Sequence, residues 1–256
     1  MIKFLVINLS HAVDRKIYIT NILNKYNLDY EIINAFNGKN INEQIYDSFV
    51  DYDRMILEHK RKLSYGEIGC LFSHKFCLEK IVSDNLECAI IIEDDVFFDI
   101  NLINFIREKD KFPNDLELLM LGHQRQVYTD TNFRIESPYS KRFCVNILNY
   151  KIRRLVGRGN GGYGYFITNK GAKKLLNYLE HFFLPIDAII SNDKYINIYA
   201  VFPVLITTHP DFMRESSTQD NISFLKKRNI FQKYFKKIVI NLKYFIPSIK
   251  KLKKYE

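Results

Sequence analysis

The chain opens with two apolar runs, FLVINL at 4–9 and YEIINAF at 30–36, separated by a stretch in which Ile19, Ile22, Leu23 and Tyr26 recur at helical spacing. Spacing of three and four residues marks one face of a helix, whereas short continuous apolar runs mark strands buried on both sides. A strand, a helix and a second strand in that order limit the fold sharply: the strands run parallel and the helix covers the sheet. Ser10 is placed to cap the helix, and Asn37-Gly38 ends the second strand with a turn signal. With 256 residues, 47% of them apolar, the chain can build one full α/β domain, or one domain with an appendage.

Residues 40–63 are polar and read as a helical excursion. Ser64 and Glu67 then stand at the spacing of a capping box, heading a helix from about Tyr65 to Val82. CAIIIE (88–93) and LELLML (116–121) read as strands, residues 122–158 as a long variable excursion, and GYGYFIT (162–168) as a further strand. A helix follows with Ala172, Leu175, Leu176 and Leu179 on one face. AVFPVLITT (200–208) is a late strand in which Pro203 points to an edge or a bulge. GRGNGG (157–162) matches G-x-G-x-x-G, but the dinucleotide fingerprint needs a strand before it and a helix after it. Here basic KIRRLV precedes and strand-like residues follow, so a glycine loop bordering an acceptor pocket is the expectation.

Charge is unevenly placed. Of the net +9, residues 221–256 supply eleven Lys or Arg against Glu256 alone, leaving 27 basic and 28 acidic residues in 1–220. A neutral body argues against a nucleic-acid-binding domain, whose positive charge covers the folded surface. The four cysteines, Cys70, Cys77, Cys88 and Cys144, show no C-x-x-C spacing, which argues against a zinc centre or a thioredoxin-type site and for buried free thiols. No window approaches 18 uninterrupted apolar residues, and MIKFLVINLS lacks a signal-peptide cleavage site, so a cytoplasmic protein is expected.

Glu93, Asp94 and Asp95 crowd the end of CAIIIE. In an open α/β sheet ligands gather beyond the carboxyl ends of the strands. Adjacent carboxylates repel unless a cation compensates, and their oxygens suit Mg2+ or Mn2+, ions that also bind substrate phosphates. In an extended segment Glu93 and Asp95 face one way, as a metal-binding pair, and Asp94 the other; an exposed acidic turn is the competing explanation. Asn8, Ser10 and Arg15 lie where the first strand gives way to its helix, a natural nucleotide site, unless Arg15 is a plain surface residue. Asn37 and Gly38 could read a uracil or ribose edge, or simply form a turn. His209, in TTHPD, could be a third metal ligand or a loop histidine.

VINLSHAVDRK, NAFNG (34–38), LSYGEIGCLFSHKFCLEKIV (63–82) and AIIIEDDVFF (89–98), in this order, resemble glycosyltransferase family 25, the bacterial lipooligosaccharide galactosyltransferases related to the collagen galactosyltransferases. GYGYFITNKGAKKLL (162–176), PID (185–187) and ESSTQDNI (215–222) extend the resemblance over roughly residues 1–222. G-E-I-G-C-x-x-S-H followed by E-D-D is its specific part. The resemblance implies a GT-A-type fold: a mixed, mainly parallel sheet flanked by helices. It implies a UDP-sugar donor, usually UDP-galactose, inversion at the anomeric carbon, and a metal motif varying Asp-x-Asp, with Glu93 in its first position. It also brings Ser73 and His74 toward the donor, although a helical histidine is often structural. Asp187, in the family's Pro-x-Asp, becomes the leading base or acceptor anchor for β-galactosyl transfer, with Asp94 its rival; Glu67 is already explained as a capping partner.

In the tail, apolar residues 230, 231, 234, 235, 238, 239, 242, 245 and 246 form one helical stripe, with Lys233, Lys236, Lys237 and Lys243 beside or opposite it. Aromatic residues and Lys on an amphipathic helix suit an anionic membrane surface. Residues 223–256 are thus expected as a basic amphipathic anchor on the cytoplasmic face of the inner membrane, holding the domain at 1–222 near a glycolipid acceptor; a helix packed on the domain is the competing expectation. Two other functions fit parts of the sequence. One is a metal-dependent nucleotidyl- or phosphotransferase, although no G-x-x-x-x-G-K-S/T loop appears; the other is a non-catalytic basic membrane-binding protein.

Overall fold

The computed structural model describes residues 2–123, 139–155 and 161–212, with the backbone alone for 139–143. The chain runs β1 (Lys3–Asn8), α1 (Val13–Lys25), β2 (Tyr30–Asn34), α2 (Glu43–Phe49), α3 (Tyr52–Glu58), α4 (Tyr65–Ser83), β3 (Cys88–Glu93), β4 (Val96–Phe97), α5 (Ile100–Arg107) and β5 (Leu118–Gly122). It continues with β6 (Tyr139–Ile147), β7 (Tyr150–Leu155), β8 (Gly164–Thr168), α6 (Asn169–Leu176), α7 (Ile186–Ile190), β9 (Ile198–Phe202) and β10 (Thr207–Thr208).

Eight strands form one sheet in the order β2-β1-β3-β8-β5-β9-β7-β6, and β10 pairs with β4 apart from it. The opening βαβ unit is present: β1 lies parallel to both β2 and β3. The sheet is mixed as expected, but it is not mainly parallel. β8 is inserted antiparallel to β3 and β5, and β7 runs antiparallel to β6 and β9, so β5–β9 is the third and last parallel pairing among the described strands. The segment read as an excursion over 122–158 contains the β6–β7 hairpin. The basic KIRRLV is therefore largely strand β7; the glycine motif behind it leads into β8 rather than a helix, so its rejection as a dinucleotide fingerprint stands on the second criterion alone. Pro203 follows the end of β9, which is an interior strand and not an edge.

Strand parity sorts the core into two layers. Leu5, Ile7, Ala89, Ile91, Met120 and Tyr165 pack on one face with α2, α3, α4, α6 and α7. Phe4, Val6, Ile90, Ile92, Leu121 and Phe166 pack on the other with α1 and α5. Helix α4 starts where the sequence places it. Ser64 Oγ accepts from Glu67 N at 3.2 Å, and Ser64 N donates to Glu67 Oε2 at 2.8 Å. Ser10 caps nothing: it is exposed in the turn before α1, whose N-cap is Ala12 without a side-chain bond.

Two close approaches fix α4 on the loop after β2. A Cβ at Gly38 would stand 2.4 Å from Tyr65 O, and one at Gly69 2.6 Å from Phe36 O. Both are below any real Cβ contact, so only glycine lets helix and loop meet there. No helix among the described residues is long and apolar enough to cross a membrane.

Candidate active site

The carboxyl ends of β1, β3 and β5 and the start of β8 meet at one edge of the sheet, with Glu93 paired to Ile7, and Gly164 to both Ile92 and Gly122. Strand β3 ends at Glu93, and Asp94 and Asp95 form the turn into β4. The expected alternation therefore fails. Glu93 keeps the parity of Ala89 and Ile91 and faces the α4 layer, with its Oε1 3.9 Å from His74 Nε2. Asp94 and Asp95 both turn to α1, where Arg15 NH1 lies 3.4 Å from Asp94 Oδ1 and 3.6 Å from Asp95 Oδ2.

Asn8, at the end of β1, donates to Asp94 Oδ2 at 2.7 Å and to Ala12 O at 3.1 Å, tying the acid to the turn before α1. Asp94 is buried, and burial raises its pKa against the pull of Asn8 and Arg15. Asp95 is pushed up to about 7, first by burial and then by the charges of Glu93 and Asp94. Its Oδ1 is buried without a hydrogen bond. An anion packed beside two others with an unmet oxygen is a site that a divalent cation would complete, and its oxygen donors fit Mg2+ or Mn2+.

His209 comes to this turn by backbone pairing. Thr208 pairs with Val96, and His209 N donates to Asp95 O at 2.7 Å. Its ring packs 4.8 Å from Tyr18 and 5.3 Å from Phe212, and Nδ1 accepts from Asp211 N at 3.3 Å. Among the described residues the three metal-ligating groups that converge are Cys70, His74 and Glu93, a set that contains neither Asp95 nor His209.

Three other residues have bonding that the fold itself requires. Ser73 Oγ accepts from Phe36 N at 2.9 Å and donates to Gly69 O at 2.7 Å; Asn37 caps a short turn through Lys39 N; Gly38 is the contact point with α4. Together they seat the loop after β2 on α4, and Glu67 is held by Arg61 as well as by its capping role. Asp187, in the first turn of α7, lies against Gly162, whose added Cβ would stand 3.6 Å from its own Cβ. Its charge, after burial and Glu93, helps hold the Cys70 thiol well above the usual range. Gly161, at φ 99°, needs glycine to turn the chain there.

Cys70 and buried His123 were missed. Cys70 precedes His74 by four residues, and that spacing puts both on one helix face, a signal that a search for C-x-x-C passes over. His123 directly follows β5 and donates from Nε2 to Val201 O at 2.9 Å; a single histidine in an unpatterned stretch carried no signal. Residues 157–160, 215–222 and the tail at 223–256 lie outside the described residues.

The family model described as "Glycosyltransferase family 25 (LPS biosynthesis protein)" matches residues 1–190. Procollagen galactosyltransferase 1-A of Xenopus laevis is 27% identical over 85% of the chain, which spans 33% of that protein. A glycosyltransferase 25 family member of Aedes aegypti is 26% identical over 88% of the chain, again spanning 33% of the relative. Lipooligosaccharide biosynthesis protein lex-1 of Haemophilus influenzae is 28% identical over 76% of the chain and 69% of its own length. The chain thus spans about a third of the procollagen enzymes and most of the bacterial protein.

Proposed function

The chain belongs to glycosyltransferase family 25, and from that premise we propose that it moves a hexose from a UDP-sugar onto a terminal sugar of lipooligosaccharide or lipopolysaccharide. Galactose is the proposed sugar, and transfer inverts the anomeric carbon. The printed names of the relatives, galactosyltransferase and lipooligosaccharide biosynthesis protein, support sugar and acceptor class. The observation that carries the proposal is the turn after β3: Asp94 and Asp95 share one guanidinium next to Glu93, with Asp95 Oδ1 buried and unbonded.

Glu93 and Asp95 would hold Mn2+ or Mg2+, with His209 beside them. When bound, the ion would neutralise charge on the departing diphosphate. Arg15, at the head of α1, is placed to add a charge-assisted bond to phosphate. Asn8 fixes Asp94, whose oxygens are already committed to Asn8 and Arg15. That leaves Asp187 as the base. It takes the proton of the acceptor hydroxyl as the oxygen bonds to the anomeric carbon and the sugar–diphosphate bond breaks. Gly161 and Gly162 would let the acceptor approach Asp187 closely. Residues 223–256 would keep the enzyme on the cytoplasmic face of the membrane, near a lipid-linked acceptor.

The test is product release from a panel of UDP-sugars, with Mn2+ and with EDTA. Release of UDP from UDP-galactose that EDTA abolishes is the expected result. Release of UMP or pyrophosphate, or no turnover of any UDP-sugar, rules the proposal out.

A further inference from the structure

Helix α4 carries a second set of donors that the proposed transfer does not use. Cys70 and His74 are four residues apart and share the helix face turned to β3, where Glu93 is the last residue. One ligand atom from each lies within 4.8 Å of the other two. The His74 ring is fully buried, its Nδ1 sits 2.9 Å from the Tyr165 hydroxyl, and its Nε2 has no hydrogen bond. In the tautomer whose Nδ1–H donates to Tyr165, the lone pair is on Nε2, 3.9 Å from Glu93 Oε1. A histidine oriented through one nitrogen and left open at the other is how proteins present imidazole to a metal. A buried nitrogen left unpaired is otherwise costly to the fold.

Spacing agrees with this. Bonds of about 2.0–2.3 Å in tetrahedral geometry set ligand atoms about 3.3–3.8 Å apart. His74 Nε2 and Glu93 Oε1 are already at 3.9 Å. The donor set, one thiol sulfur, one imidazole and one carboxylate, selects a thiophilic or borderline ion over magnesium.

We propose that Cys70 Sγ, His74 Nε2 and the Glu93 carboxylate form a three-ligand site for a zinc-class divalent cation, with the fourth position open to water or an anion. Binding forms a metal–sulfur bond and releases the thiol proton to solvent. Glu93 then belongs to two sites, so zinc raises the Mn2+ concentration needed for turnover. That consequence rests on the transferase proposal; the site itself does not.

Co2+ is the probe, because cobalt bound to thiolate absorbs in the near ultraviolet and cobalt bound only to oxygen and nitrogen does not. The titration uses the full chain with Cys144→Ser, which removes the other partly exposed thiol. One equivalent of Co2+ should produce a saturable charge-transfer band that stoichiometric Zn2+ displaces. Cys70→Ser should abolish the band, and Tyr165→Phe should weaken Co2+ binding about tenfold by releasing the imidazole. No band at saturating Co2+, or the same band in Cys70→Ser, overturns the site. If Cys70→Ser fails to fold by circular dichroism, protection decides: Zn2+ should block alkylation of Cys70 in the unsubstituted chain, and undiminished alkylation overturns the site. Absence of UDP-sugar turnover would leave the cobalt band in place, so the two failures are told apart.

Discussion

The two sides of the β3 terminus are furnished for different partners. Toward α1, Asp94 and Asp95 share Arg15, and an amide from Asn8 holds one of them. Toward α4, Glu93 meets an imidazole and a thiol, and no Lys or Arg among the described residues pairs with it. Strand parity makes the division, since a single residue step moves a side chain from one layer to the other. Three consecutive acids therefore need not form one site. Here they face two ways, with two hard oxygen donors beside a guanidinium on one side and one carboxylate among mixed donors around the buried His74 ring on the other.

Neutralising each side in turn gives the largest expected effect. Asp95→Asn and Glu93→Gln should each lower kcat/KM for the UDP-sugar about a thousandfold, as loss of a preorganised charge partner does. Loss from Asp95→Asn but not from Glu93→Gln would assign the donor ion to the α1 side alone. Asp187→Asn should cost about a hundredfold in kcat with little change in donor KM, the pattern of a missing base. A change confined to acceptor KM would make Asp187 an anchor instead.

Stability distinguishes the sides more gently. Asp95 binds its proton more tightly in the fold than in the unfolded chain, with a pKa raised from 3.8 to about 7. The folded protein thus holds more protons across that window and loses stability as pH rises through it. Arg15→Met removes the compensating cation and should cost about 2 kcal/mol in urea denaturation at pH 8, with a smaller deficit at pH 5. An equal deficit at both values would show that Arg15 does not offset the carboxylates. Ser64→Ala, which breaks the capping box of α4, should cost about 1 kcal/mol at either pH.

What the sequence revealed follows the range of the forces involved. The βαβ opening and the head of α4 are local patterns, and both stand where they were placed. The antiparallel insertion of β8 between β3 and β5 depends on partners far along the chain, and no periodicity announces it. Strand β7 was hidden by its arginines; Arg154 is buried there, bonded to Asp115 and to Asn197. The acidic cluster was found because like charges beside an apolar strand are costly. Its division was not, because the strand ends one residue before Asp94. Ser73 and Gly38, singled out for ligand binding, have demanding structural work that only the packed loop reveals.

The two-residue ladder between β4 and β10 links distant parts of the chain. His209 reaches back across more than a hundred residues to fasten its amide on the carbonyl of Asp95. A fragment stopping at residue 190 would carry every acid of the cluster and lack the clasp that shapes their turn. During synthesis the carboxylates emerge early but acquire their final posture late, once every strand of the main sheet has been made.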